Sequence, residues 1–345
     1  MRKCHQLLAG FFSLAGLLFF ASCSTSINNT TNTVPPKAAG NSLQTAENTT
    51  QTPPKVYFIK DITPENLVKI YNALGRDLKG KVAVKISTGE PGGHHFLDPN
   101  LIKNLVQQLD GTIVECNTAY KGQRSETENS KKTAEAHGFT AIAPVDIQDE
   151  DGSMTLPFPK GEVIKEDYVG THFPNYNSYL ILSHFKGHAM AGFGGALKNM
   201  SIGIASAEGK AWIHSGGTSL TDPWHGKQDD FLQAMAEAAG AVMNLLGDNV
   251  AYVSVMNHLS IDCDCSSHPA PPELDDIGIL ASLDPVALDK ACVDLIYLSD
   301  TQRSQSLRER IESKNGMLTI DHAEKLGLGS QKYELIVLVD VPMRR

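Results

Sequence analysis

The chain has 345 residues, 41% hydrophobic and 20% charged, enough apolar sequence to bury one large core or two smaller ones. Its 30 Lys and Arg stand against 39 Asp and Glu, a net charge of −9, so no global basic field draws in nucleic acid or an anionic membrane surface. Fold class and function have to come from pattern.

Met1-Arg2-Lys3 supply positive charge, and Leu7 to Phe20 form an apolar stretch of signal-peptide length, shorter than the roughly 20 residues that span a bilayer. Ala21 and Ser22 then precede Cys23. This order predicts a bacterial lipoprotein signal over residues 1–22, with Cys23 lipidated after cleavage and an exported cell-envelope protein attached to the membrane through its lipid anchor only. A simple secretory signal or an uncleaved anchor is the alternative. Residues 23–54 are rich in Thr, Asn, Ser and Pro and too poor in large apolar residues to order themselves, which predicts a disordered tether. Residues 55–345 read as a single α/β domain.

Within it, Val56 to Ile59 predicts a strand, and Thr63-Pro64-Glu65 the cap and first turn of a helix stopped at Gly75. Val82 to Ile86 is a second strand, opening into a loop with Glu90 and the pair His94-His95. Asp98-Pro99 starts a helix ending before Gly111, and Thr112 to Cys116 is a third strand. That rhythm is the one of a mostly parallel sheet with crossover helices, whose carboxyl strand ends bind ligands. A charged helix is expected from Ser125 to His137, a strand within Phe139 to Val145, and peripheral hairpins within Asp149 to Gly170. Tyr179 to Leu182 returns to the core. A helix is expected within Lys198 to Lys210, then a short apolar strand ending at His214. Asp229 to Leu246 has a helical period, Val250 to Met256 is a strand, Asp284-Pro285 caps a helix to about Leu298, and Leu335 to Val339 is the last strand.

Candidate chemistry sits in two loops. Ser183 to Asn199 follows a buried strand and carries His184, Lys186 and His188 in alternation, so an extended segment sends all three to one side. Two His with a Lys suit metal ligation or an anionic substrate held by the Lys; solvated polar groups are the plainer alternative. Gly192-Phe193-Gly194-Gly195, leading to Lys198 and Asn199, suits an anion seat or a tight packing turn. The second loop, Asn257 to Cys265, offers His258, Cys263 and Cys265. Thiolates and imidazole are ligands for Zn, Fe or an iron–sulfur cluster. A local disulfide and two unpaired structural cysteines are the alternatives. Cys116 and Cys292 read as buried. His94, His95 and His214 could join the same rim. No Gly-x-Ser-x-Gly elbow or His-Glu-x-x-His motif is present, so a hydrolase is not indicated.

Lys85 to Gly92, Thr118 to Arg124, Ser183-His184-Phe185-Lys186-Gly187-His188, Gly192 to Asn199, Cys263-Asp264-Cys265 and Asp276 to Asp289 together resemble the domain of unknown function 362 family, over about Lys55 to Leu298. Many members carry a ferredoxin-like insert for iron–sulfur clusters after the segment matching Gly209 to His214. Here Ser215 to Lys227 holds no cysteine, so electron transfer through such an insert does not carry over. The resemblance implies that the 184–199 loop and the Cys263-Asp264-Cys265 loop share one site.

The sequence thus predicts a metal- or cluster-binding α/β protein with redox or metal-assisted chemistry on a small anionic molecule. Lys186 and His188 take catalytic roles. Gly194, Gly195, Lys198 and Asn199 face the anion, and His184, His188, His258, Cys263 and Cys265 are the metal ligands. A non-catalytic surface protein binding an anionic ligand is the alternative. Nucleic acid is not an expected partner.

Overall fold

The computed structural model describes residues 52–339. The expected signal, the lipidated Cys23 and nearly all of the tether lie outside them. The chain starts with β1 (Lys55–Ile59), α1 (Pro64–Ala73), β2 (Val82–Lys85), α2 (Pro99–Gln108), β3 (Thr112–Glu115), α3 (Thr127–Ala136) and β4 (Val145–Ile147). The caps follow from side chains: Thr63 accepts a hydrogen bond from the Asn66 N–H and Asp98 from that of Asn100, each with Pro at the start of the helix.

A peripheral hairpin, β5 (Ser153–Pro157) with β6 (Glu166–Gly170), precedes β7 (Ser178–His184). The short strands β8 (Lys186–His188) and β9 (Gly192–Gly194) pair with each other before α4 (Ala196–Met200), α5 (Ala207–His214) and α6 (Gln228–Leu246). The remainder is β10 (Val250–Met256), β11 (Gly278–Ser282), α7 (Pro285–Leu298), α8 (Thr301–Ser313), α9 (Leu318–Lys325) and β12 (Glu334–Val337).

Eight strands form one sheet in the order β12-β1-β11-β10-β7-β2-β3-β4. β7 pairs in parallel with β10 and β2, and β2-β3, β3-β4 and β1-β12 are parallel as well. Only β11 runs against its neighbours, β1 and β10. The fold is therefore mixed α/β with a mostly parallel sheet. Helices cover both faces, and the strand period divides the core accordingly. Leu180 and Leu182 of β7 join α1 and α2 on one side, while Tyr179 and Ile181 join α4, α6 and α7 on the other.

Some local expectations are corrected. Within Phe139 to Val145 the chain makes a 3-10 turn at Phe139–Ala141, entered through left-handed Gly138, and the strand begins only at Val145. Lys198 to Lys210 is not one helix, because the turn Ser201 to Ala205 separates α4 from α5. His214 ends α5 rather than a strand: Ser206 caps that helix on the Gly209 N–H, so Ala211 to Ile213 continue a helical turn. Strand β11 falls in the 276–289 block, where the sequence pattern predicts none.

The architecture places the carboxyl ends of β10, β7, β2 and β3 side by side, which are Met256, His184, Lys85 and Glu115. Helix α4 is fixed above them by Asp289 of α7, whose buried carboxylate accepts from the N–H groups of Ala196 at 2.7 Å and Leu197 at 2.9 Å. Burial raises the Asp289 pKa to about 7 against those two bonds. Gly195 is required beside it, since a Cβ there would lie 2.2 Å from Asp289 Oδ1. Asp289→Ala leaves two buried N–H groups unsatisfied and is predicted to cost about 2–5 kcal/mol of stability, read from the urea midpoint. An unchanged midpoint would show that α4 does not depend on this carboxylate.

Candidate functional site

Above those strand ends lies a cavity of about 440 Å³. Lys85, Arg124, Lys186, Lys198 and Lys210 line it, against the carboxylates of Glu115 and Asp264. His184, His188, His214, Gly194, Gly195, Asn199, Cys263 and Cys265 complete much of its wall. The two loops singled out in the sequence therefore meet in one site.

The charges are arranged in two buried clusters. Glu115, at the end of β3, binds Lys85 Nζ at 2.9 Å, Arg124 Nη2 at 3.0 Å and the Thr88 N–H at 2.8 Å. Burial works to raise its pKa, but Lys85 and Arg124 together outweigh burial and bring it down to about 2. Behind it, Glu90 accepts from the Tyr120 hydroxyl at 2.7 Å and lies 3.4 Å from Arg124 Nη1.

The second cluster centres on Asp264, between the two cysteines. Its carboxylate takes His184 Nδ1 at 2.9 Å and the Lys186 ammonium. Burial again opposes ionisation, yet His184 and Lys186 hold this carboxyl well below the usual range. Gly187 makes the junction possible. Its N–H donates to the Ser260 carbonyl at 2.8 Å, and a Cβ there would sit 2.4 Å from the Ile261 carbonyl oxygen.

Lys198 stands apart. It lines the cavity, its ammonium has no hydrogen bond or ion pair among the described residues, and burial, then Lys186 and Lys85, lower its pKa to about 7 against the pull of Asp264. Lys210 donates to the Ala205 carbonyl and has no carboxylate partner among the described residues. The cavity thus holds more cation than its own carboxylates balance.

The expected metal ligands do not all gather. His184 has Nδ1 on Asp264 and Nε2 2.7 Å from the Asn257 carbonyl oxygen, so neither nitrogen is free for a metal. His258 is exposed, in the left-handed region at φ 46°, and does not line the cavity; its ring lies 5.6 Å from that of His95. His94 and His95 are likewise absent from the lining, whereas His214 belongs to it.

His188, Cys263 and Cys265 do come together, with potential ligand atoms within 4.8 Å of one another. The cysteines, however, are joined in a disulfide, the local bridge that their spacing leaves open. His188 Nδ1 accepts from the Ala191 N–H at 2.9 Å and the Met190 N–H at 3.2 Å. The proton of the neutral ring is therefore on Nε2. Burial, then Lys198 and His214, push the His188 pKa well below its ordinary value, so the ring stays neutral. In this state the trio does not fit a metal ion: no thiolate is present, and the imidazole has a donor where a lone pair is needed.

Asn199 lines the cavity and has a structural role as well. Its Nδ2 donates to the carbonyls of Lys85 and Leu182 and to Ser183 Oγ, at 3.1, 3.2 and 3.1 Å, which ties α4 to the ends of β2 and β7. Cys116 is buried, with its thiol on the Ile204 carbonyl, and burial raises its pKa. Sequence reasoning misses Lys85, Glu115, Arg124 and Lys210 as site residues, and places Asp264 in the site without its role as the partner of His184 and Lys186. The available signal is a charge closing an apolar run, as in Val82-Ala83-Val84-Lys85 and Ile113-Val114-Glu115.

Fold and site together define an α/β protein with a cation-rich pocket at the carboxyl edge of its sheet. Residues 82–294, more than half of the chain, match the family model described as Domain of unknown function (DUF362), and the chain belongs to that family. No curated protein matches it. Among solved structures it is similar to the lactate racemase apoprotein from Thermoanaerobacterium thermosaccharolyticum, with 13% identity, a TM-score of 0.43 and coverage of 71% of this chain and 57% of that one. A protein from Thermotoga maritima is similar at 16% identity and a TM-score of 0.37, over 67% of this chain and 57% of that one. The chain thus spans less than two thirds of either structure.

An ammonium in a half-buried wall without an ion-pair partner is costly. Lys198→Met is therefore predicted to raise the melting temperature by a few degrees, as removal of a strained functional group does. A lowered melting temperature would mean that Lys198 is neutralised within the protein itself.

Proposed function

We propose that this protein is exported, held to the envelope through Cys23, and binds a small anionic molecule in the pocket, where the Lys198 ammonium answers its charge. The observation that carries the reading is Lys198, whose ammonium forms no ion pair among the described residues, at the wall of a cavity of about 440 Å³. A carboxylate or phosphate supplies the missing charge, with Lys210 and the Nε2–H of His188 as further donors. Lys186, which the sequence pattern suggests as catalytic, is tied to Asp264 and contributes field rather than proton transfer. Gly194 and Gly195 shape the wall.

Lys198 binds the anion as an ammonium, and its pKa in the free protein is about 7. Affinity is therefore full below that pH and falls as pH rises through it, by about tenfold per unit at the limit. The groups acting on it are Lys186, Lys85, Lys210 and Asp264. Calorimetry with a panel of carboxylates, whose charge is constant across this range, is expected to give this profile and to lose binding in Lys198→Met. An affinity flat across this range and unaffected by the substitution would sink the reading. A chemical change in the bound anion that depends on Lys198, followed by NMR of the ligand, separates catalysis from the non-catalytic binding protein that is the alternative.

A second reading rests on the approach of His188, Cys263 and Cys265 to within 4.8 Å. Reduction of the bridge yields two thiols whose deprotonated forms suit Zn, Fe or an iron–sulfur cluster, with His188 as a nitrogen ligand once Nδ1 takes up the ring proton. Elemental analysis after reduction and incubation with Zn²⁺ is expected to give about one equivalent of metal, lost in Cys263→Ser. No uptake by the reduced protein would remove this reading.

A further inference from the structure

Trp224 is a large aromatic side chain left 60% exposed, and it lies on the rim of the same cavity. It belongs to the 215–227 connection between α5 and α6, and this connection is held by its own hydrogen bonds. Ser215 Oγ accepts from the Thr218 and Ser219 N–H groups, at 3.2 and 2.9 Å, and the Asp222 N–H donates to Ser219 Oγ at 3.0 Å. Asp222 Oδ1 then accepts from the N–H of Trp224 itself, at 3.0 Å. At the far end Gly226 passes so close to α5 that a Cβ would meet the His214 carbonyl oxygen at 2.2 Å. The indole is thus carried on a fixed support.

Most of the accessible cavity lining is apolar, and Pro223, Met190, Ile202 and Ala119 belong to it together with Trp224. A free phosphate or acetate would satisfy Lys198 and leave this wall in water. Exposed apolar surface at a pocket mouth marks a contact that a ligand completes.

We infer that the pocket selects a molecule with an anionic head and an apolar or aromatic body, the head facing Lys198 and Lys210 and the body covered by Trp224. This rests on the anion-binding reading and adds the ligand class to it. Trp224 is a specificity-determining residue, and its contribution grows with the apolar surface of the ligand.

The chain has two tryptophans. Trp212 is partly buried and donates its Nε1–H to the Glu166 carbonyl at 3.0 Å, so Trp212→Phe leaves Trp224 as the reporter. In this variant of the full chain, fluorescence titration with acetate, hexanoate and phenylacetate is expected to change the Trp224 emission with the two larger acids. Each buried methylene gives about fourfold, so hexanoate should bind at least about tenfold more tightly than acetate. Trp224→Ala, followed by calorimetry in the otherwise native chain, should bring that ratio close to one, and Trp224→Phe should restore some of it. Acetate binding that gains nothing from the longer chain, or a ratio that survives Trp224→Ala, overturns this inference and leaves the anion site standing. If acetate, phosphate and the larger acids all fail to bind, the anion site fails and takes the inference with it.

Discussion

Asp264 lies buried between the imidazole of His184 and the ammonium of Lys186, and through them it joins the loop after β10 to the end of β7. A carboxylate out of water is tolerated only when its charge is answered at close range, so these three side chains cannot be moved independently. The junction brings Cys263 and Cys265 to the pocket wall and fixes the direction in which the chain enters β8. Glu115 does the same at the neighbouring strands, drawing Lys85 and Arg124 over the ends of β2 and β3. The same pocket is lined by Lys198 and Lys210, which form no ion pair among the described residues.

The same junction explains why His184 and His188, equal on the sequence, diverge in chemistry. His184 has both nitrogens engaged by Asp264 and the Asn257 carbonyl and acts as a strut. His188 accepts backbone N–H groups at Nδ1, which leaves it a neutral ring with a donor at Nε2. The strut is made by a loop some 80 residues further along the chain, whereas the free donor follows from the turn that begins at His188 itself.

The position of the pocket is that of a parallel sheet in which adjacent strands end on one edge. Asn199 and Asp289 add precision by anchoring α4, the first through three acceptors on strand ends and the second through two backbone N–H groups. Neither needs to touch a ligand to matter. They hold the helix that carries Lys198, and so keep that ammonium where its charge is least well compensated.

Much of the frame is legible in the chain. Apolar runs such as Val82 to Ile86 and Val250 to Met256, with Pro-led helices capped by Thr63, Asp98 and Asp284, are local signals and form strands and helices where expected. The alternation of His184, Lys186 and His188, and the resemblance linking that segment to Cys263-Asp264-Cys265, locate the site. The helix ending at His214 and the strand at Gly278–Ser282 are not legible in the same way, because a short apolar segment takes its form from the cap before it or from a neighbouring strand. Which side chain would bind a ligand is decided only by tertiary structure. Lys186 and Lys198 are alike as sequence, and the proximity of Asp264 to one and its insufficient pull on the other depend on folding, since electrostatic balance in a buried site is a property of distances that the linear order does not contain.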